Sequence, residues 1–390
     1  MARVVYTKAH NYHYGYSQFE NYSVVQFNVS KGFMVMRYDA SIAGTYDPTK
    51  SPWKIKITFE NLETYKPSSG KYKGEQIITS GDIKGIKWYD KSGDLEVKMT
   101  GISLDADEFH HYYLENASRT YDNLVAGGST FVGPTNGTGM DVSTGSGDDT
   151  VDARGGGTFI KDKGGADTYI GSIEKYDTVS YSFWSYDRRP TAEGIDVDLA
   201  NQQAIGPDGE VDTLIGIDQV FGTVSDDSFK GDDGDNVFAG LRGDDLIGGG
   251  KGFDTALYFR DSIEGGYDGI IVNMYTGEVR DGFGTTDTLS NIEKIVGTST
   301  KDRFISNNKD NWFEGRGGKD KFIFKGGKFG SDTITDFTQS QDKIEITKAN
   351  SLSRLTITQE DGGTLIAFND NSDIFLKDFD GTLTASDFIF

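Results

Sequence analysis

Apolar positions along the 390 residues follow two different periods. Up to about residue 130 they alternate with polar ones in short runs: YSVVQFNV (22–29), FMVMRY (33–38), WKIKITF (53–59), GIKWYD (85–90) and LEVKMTGI (95–102). A period of two, bounded by Gly, Ser, Asp or Lys, is that of strands with one buried face. It predicts an N-terminal antiparallel β domain over residues 1–130. Within it DADEFHHYYLENA (105–117) opens on Asp and predicts one helix. From 131 to about 335 Gly- and Asp-rich units of nine residues recur, with an apolar residue at the eighth position. The clearest run is GTVSDDSFK (222–230), GDDGDNVFA (231–239), GLRGDDLIG (240–248) and GGKGFDTAL (249–257), whose eighth positions are Phe229, Phe238, Ile247 and Ala256. A second run is GTSTKDRFI (297–305), SNNKDNWFE (306–314) and GRGGKDKFI (315–323), and a weaker earlier one includes TGSGDDTVD (144–152) and DKGGADTYI (162–170). From about 336 to 390 the runs DKIEI, RLTITQ, GTLIAF and SDIFLKDF predict short strands again, before the end TLTASDFIF.

A longer repeat contains these units. IDVDL (195–199) matches IIVNM (270–274), VDTLIGIDQVFGT (211–223) matches TDTLSNIEKIVGT (286–298), and Phe229, Phe238 and Ile247 match Phe304, Phe313 and Phe322, all at an offset of 75 without a gap. Repeats at a fixed period predict stacked supersecondary units. A three-residue strand followed by a six-residue turn places successive strands on opposite sides of a flattened right-handed solenoid, with a full turn every two units. The eighth residues then fill a thin interior. The turn glycines serve a backbone that visits φ > 0 and packs against the next turn.

Composition changes this picture in two ways. Asp and Glu outnumber Lys and Arg by 61 to 39, a net charge of −22, so neither nucleic acid nor an anionic membrane is an expected partner. The sixth position of the four consecutive units reads Asp227, Asn236, Asp245, Asp254, so carboxylates stack from turn to turn. An oxygen-lined slot of this kind suits calcium, which accepts six to eight oxygen ligands in irregular geometry. Zinc and copper prefer nitrogen and sulfur, which the repeats do not offer. One apolar residue per strand does not offset its ordering entropy, so folding and ion binding are expected to be coupled. Cysteine is absent, so no disulfide supplies the staple instead. The N-terminus has no apolar signal segment, and no run approaches the 18 apolar residues of a membrane span.

The units GGKGFDTAL, GLRGDDLIG and GSGDDTVD resemble the GGxGxDxUx pattern of the RTX (repeats-in-toxin) calcium-binding family, and the resemblance covers about residues 135–390. It implies a parallel β-roll with calcium held between turns by the Asp of one repeat, the Asp two repeats later, and intervening carbonyls. On this chain the implied pairs are Asp149 with Asp167, Asp227 with Asp245, and Asp302 with Asp320. Asn236 stands opposite Asp254, one charge short. The run 297–323 departs from the pattern, with Lys301, Asn307, Asn308 and Lys309 in its turns. The segment FGSDTITDFTQSQDKIEI (329–346) resembles the one following the repeats in serralysin-type proteases. The final DFIF resembles the end of substrates of the type I secretion system, an acidic residue followed by three apolar ones. That likeness implies a Gram-negative source, a type I exporter as partner and an extracellular location, with residues 336–390 as cap and export signal.

The region ahead of the repeats offers little chemistry. It has no HExxH, no GxSxG and no thiol, which excludes the zinc-protease, hydrolase and cysteine-nucleophile classes. His10, His13, His110 and His111 all fall there without a third metal ligand at useful spacing. No catalytic residue is assigned. Segment 81–109 loosely resembles a strand module found ahead of RTX arrays in non-enzymatic secreted proteins. Two classes of function follow. One is a secreted structural, adhesive or matrix-binding protein with a cell-surface or matrix polysaccharide as partner. The alternative is an extracellular polysaccharide-modifying enzyme of lyase or epimerase type.

Overall fold

A computed structural model describes the strand backbones of segments 2–6, 22–28, 33–38, 54–65, 77–89 and 95–100, and residues 128–132, 141–155, 157–172, 176–182 and 193–390. The expected helix at 105–117 and all four histidines lie outside the described residues. The chain divides into two compact units, residues 1–183 with 208–217, and residues 184–207 with 218–390. Almost every described element is a strand.

In the first unit the alternating runs form an antiparallel meander. Tyr22–Asn28 pairs with Phe33–Tyr38, which pairs with Lys54–Tyr65, then Ile77–Tyr89, then Leu95–Thr100. Ala2–Tyr6 joins antiparallel to Leu95–Thr100 and parallel to Ser129–Val132. From there every pairing is parallel: Ser129–Val132 to Thr150–Asp152, on to Thr168–Ile170, and on to Val211–Ile215. The opposite sheet runs Asp141–Ser143, Phe159–Lys161, Thr178–Ser180. Strands therefore pair with the strand two units away, as a nine-residue step predicts. One large side chain from each points inward and is fully buried, among them Phe131, Val142, Val151, Ile160, Tyr169 and Val179.

The second unit repeats the scheme. One sheet runs Asp196–Asp198, Ser228–Lys230, Leu246–Gly248, Thr286–Ser290. The facing sheet runs Gln219–Phe221, Val237–Ala239, Thr255–Leu257, Lys294–Val296, Trp312–Glu314. This is a parallel β-roll, one turn per eighteen residues. Its interior is a stack of eighth-position rings: Phe229 and Phe238 lie 5.2 Å apart, and Phe304 and Phe322 stack at 5.1 Å. The 75-residue duplication is visible as strands at equal offset, such as Asp196–Asp198 with Ile271–Asn273 and Gln203–Ile205 with Glu278–Arg280. Beyond residue 330 the sheets are finished differently. Gly330–Ile334 takes Ser372–Lys377 beside it, followed by the antiparallel strands Gly363–Asn369 and Thr356–Glu360. Lys343–Ile346 takes the final strand, Phe388–Ile389.

Where glycine holds the first turn position, turn stacking leaves no room for a side chain. A Cβ on Gly231 would stand 1.8 Å from the Gly249 carbonyl oxygen, a backbone atom that cannot swing away, whereas a Cβ on Gly327 meets nothing within 4 Å. Gly231→Ala is expected to cost about 1–3 kcal/mol through overpacking. Gly327→Ala should range from neutral to a gain of about 1 kcal/mol, from reduced unfolded-state entropy. Denaturant unfolding of the two variants checks the contrast.

Candidate metal centre

Each turn brings its sixth residue to the edge of the interior. Asp149, Asp167, Asp227, Asn236, Asp245, Asp254, Asp302 and Asp320 are all 2% exposed or less. Neighbouring turns are joined through these side chains. The N–H of Asp149 donates to Asp167 Oδ1 at 2.7 Å, that of Asp227 to Asp245 Oδ1 at 2.8 Å, that of Asn236 to Asp254 Oδ1 at 2.8 Å, and that of Asp302 to Asp320 Oδ1 at 2.9 Å. All four sequence-derived pairs thus stand on adjacent turns. One member contributes a backbone donor and the other a carboxylate. A second ladder runs the opposite way at the exposed fifth position. There the N–H groups of Asp244 and Phe253 donate to Asp226 Oδ1 and Asp235 Oδ1 at 2.8 and 2.7 Å. Adjacent turns are therefore clasped reciprocally.

The other carboxylate oxygen separates the turns into two kinds. In the closed kind the N–H of the second turn residue donates to it. Gly145 closes on Asp149 (2.7 Å), Thr223 on Asp227 (2.7 Å), Thr298 on Asp302 (2.7 Å) and Asp232 on the Asn236 amide oxygen (2.8 Å). In the open kind the second residue is left-handed, with Leu241 at φ 73°, Gly250 at 100° and Arg316 at 64°, and the fourth is a positive-φ glycine, Gly243, Gly252 or Gly318. That peptide has turned over, so its N–H no longer points into the turn. Asp245 Oδ2 and Asp254 Oδ2 are consequently buried with no hydrogen-bond partner. In the third open turn the Arg316 N–H goes to Asp336 instead of Asp320. Leu241 and Arg316 hold a conformation that costs a side-chain-bearing residue about 1–2 kcal/mol, a cost that recurs at ligand-binding turns.

The first-position glycine follows from the same oxygen. A Cβ on Gly222, Gly240 or Gly249 would lie 2.1, 2.0 or 2.4 Å from Oδ2 of the Asp in its own turn. Thr144 and Ser306 stand in the glycine place of their turns, and so does Asp162 in turn 162–167. Its Asp167 Oδ2 instead accepts from the Tyr169 hydroxyl, which also reaches Asp162 Oδ2 at 2.6 Å. Tyr181 donates to Asp212 Oδ2 at 2.7 Å. Among the described residues, the buried Asp162, Asp167 and Asp212 form the one group whose oxygens all lie within 4.8 Å of one another. Tyrosine hydroxyls and backbone N–H groups already occupy these oxygens.

Asp162, Asp212, Asp261, Asp287 and both tyrosines were missed by reading nonapeptides alone. A signal was present in the repeated Asp-Thr-Leu of 212–214 and 287–289, which places Asp212 and Asp287 as sixth residues of the turns PDGEVD (207–212) and GFGTTD (282–287).

Burial drives the carboxyls upward. Asp254 rises to about 6, through desolvation and then the neighbouring Glu293, Asp235 and Asp232 charges. Asp320 rises to about 8, through desolvation and then Asp302 and Asp342. Asp245 is raised by desolvation and by Asp227 and Asp287. All the donors are oxygen, the carboxylates carry formal charge, and unpaired buried oxygens are costly. The set fits a hard divalent cation such as calcium. Asp245, Asp254 and Asp320, each in its own turn, would each hold one such ion, which would supply the positive charge that no described Lys or Arg supplies there.

No protein-family model matches the chain, and no curated protein matches it. Among solved structures, the extracellular lipase LipA from Serratia marcescens aligns at 16% identity over 68% of this chain and 40% of that one, with a TM-score of 0.20. The chain spans less than half the length of that lipase, and at this level of likeness neither its fold nor its activity carries over. Among the described residues no helix is long and apolar enough to cross a membrane.

Raised folded-state carboxyl pKa values have a definite linkage sign. Their stabilising contribution is fully present below about pH 4, the unfolded value, and is lost as pH rises through about 6 at Asp254 and about 8 at Asp320. In chelator the melting temperature should therefore fall between pH 5 and pH 8.5, values chosen at about the two ends of that window. Calcium needs the ionised carboxylates, so excess calcium should remove or reverse the fall. Calorimetry in the two buffers checks it, and a chelated protein whose stability rises over that range contradicts the assignment.

Proposed function

We propose that the protein is a secreted, calcium-binding β-roll of the RTX type with a structural, adhesive or matrix-binding role, folded by calcium after export. The observation that carries the reading is the pair of buried, unpartnered carboxylate oxygens on Asp245 and Asp254. They occur in turns whose second residue is left-handed, while the closed turns satisfy theirs from the backbone. Repulsion between stacked carboxylates and a one-residue-wide interior leave the roll short of stabilisation until a cation enters. Binding free energy is then folding free energy.

In this reading the three segments divide the work. Residues 1–130 present the surface that meets a cell-surface or matrix polysaccharide. Residues 131–335 are the calcium-dependent spacer. Residues 336–390 cap it and address the chain to a type I exporter. Low calcium inside the cell keeps the repeats unfolded and threadable, and calcium outside folds them and opposes backward slipping. The final strand and the preceding Ala385–Asp387 turn, with its Thr384 capping box, form a compact end that suits recognition as a unit.

Two measurements test this. Circular dichroism should show strand content appearing as calcium is raised to about 10⁻⁴–10⁻³ M, the range of extracellular modules, with magnesium doing much less. A spectrum unchanged between chelator and calcium contradicts it. Co-expression with a type I exporter should deliver the full chain to the medium and retain a chain lacking residues 330–390. Equal export of both contradicts the secretion reading.

A further inference from the structure

Equivalent strand pairs, Thr168–Ile170 with Val211–Ile215 and Leu246–Gly248 with Thr286–Ser290, place the same three side chains in both units but surround them differently. DTVSY (177–181) corresponds to DTALY (254–258), Asp212 to Asp287, and Asp167 to Asp245. In the first unit the inward oxygens are met by hydroxyls: Tyr181 donates to Asp212, and Tyr169 reaches both Asp167 and Asp162. In the second unit the places of Tyr169 and Asp162 are taken by Ile247 and Gly240, neither of which has a polar side chain. Asp245 Oδ2 and Asp261 Oδ1 are buried without partners there, while the Tyr258 hydroxyl is set against Asp287 as Tyr181 is against Asp212. Tyr258 is 2% exposed, and the three aspartates are 0%. The tyrosine faces all three carboxylates, whose charges act on its hydroxyl in the order Asp287, Asp261, Asp245.

Asp261 belongs to no nonapeptide. It opens the single helical turn Asp261–Glu264 that follows strand Thr255–Leu257. Its Oδ2 is fixed by the Gly282 N–H at 2.9 Å, which leaves Oδ1 free of donors. The nearby Asp281 is occupied within its own loop, accepting from the N–H of Thr285 at 2.7 Å and from its hydroxyl at 2.5 Å. The nearest cation in sequence, Arg260, pairs with Glu264 at 3.3 Å and lies over the Phe221 ring at 4.4 Å. Among the described residues no Lys or Arg pairs with Asp245, Asp261 or Asp287.

We propose that Asp261 and Asp287, with the Tyr258 hydroxyl, join Asp245 in holding the cation of its turn, so that this one turn site depends on a residue outside the repeats. It rests on the calcium reading above and extends it. The donors are oxygen only and three are carboxylates, which favours calcium over softer metals. The three carboxylates stand wider apart than those of Asp162, Asp167 and Asp212. Binding is expected to draw them together, and with them the helical turn and the strand of Asp287.

Equilibrium dialysis of the full-length protein with radiocalcium tests it. Asp261→Asn alters no repeat residue and should bind one ion fewer than wild type. Tyr258→Phe keeps the ring in the interior and should weaken one ion by about tenfold to a hundredfold, leaving the rest unchanged. If Asp261→Asn does not fold at saturating calcium, Tyr258→Phe decides alone. Wild-type stoichiometry and affinity in the folded variants overturn the added donors while leaving a turn ion at Asp245 standing. A wild-type chain that binds no calcium overturns both.

Discussion

The interaction on which this structure depends is a buried aspartate oxygen accepting the backbone N–H of the turn one level away. It fixes the spacing of adjacent turns, and the fifth-position ladder running the other way prevents slippage. In five turns it also accounts for the glycine five places earlier. The second oxygen of the same carboxylate occupies the space of a Cβ, so Gly222, Gly240, Gly249, Gly297 and Gly315 follow from the aspartates they precede. A hydrogen bond to a charged group contributes more than a neutral one. Here, though, the charge is buried against others of its own sign, so the same groups that order the roll also oppose it.

The two kinds of turn are two answers to that conflict. A closed turn satisfies its carboxylate twice from backbone N–H groups and needs nothing further, as at Asp149, Asp227 and Asp302. An open turn gives up the inner hydrogen bond by placing Leu241, Gly250 or Arg316 in the left-handed region, and its oxygen is left for something carrying positive charge. Turn 162–167 uses a third answer, in which tyrosine hydroxyls fill the place. Dependence on calcium is thus expected to vary from turn to turn within one chain, rather than being a uniform property of the repeat.

Much of this was legible in the sequence, because a nine-residue period leaves few ways to pair strands. The parallel roll, its 18-residue turn, the inward eighth residues and the stacking of Asp227 on Asp245 follow from spacing alone. The distinction between open and closed turns was not legible. It depends on the sign of one φ angle, and Leu241 and Arg316 adopt a conformation that residue type argues against. Asp212 and Asp287 were hidden because their turns, PDGEVD and GFGTTD, depart from the glycine spacing of the nonapeptide and follow hairpin strands, at Gln203–Ile205 and Glu278–Arg280. Asp261 carried no signal, since its role arises only when a helical turn folds back to Gly282. The alternation in the first 100 residues did predict antiparallel strands, and the pairings from Tyr22 to Thr100 are antiparallel.

The central claim is that left-handed second residues mark the turns that hold calcium. A crystal structure of the protein grown in calcium, with the ions located by their anomalous scattering, tests it most directly. The account predicts an ion bound to Asp245 Oδ2 and another to Asp254 Oδ2, with the Thr223 and Thr298 N–H groups still closed onto Asp227 and Asp302. It is contradicted if both oxygens remain without an ion, or if the ions are found where the closed turns have opened to receive them.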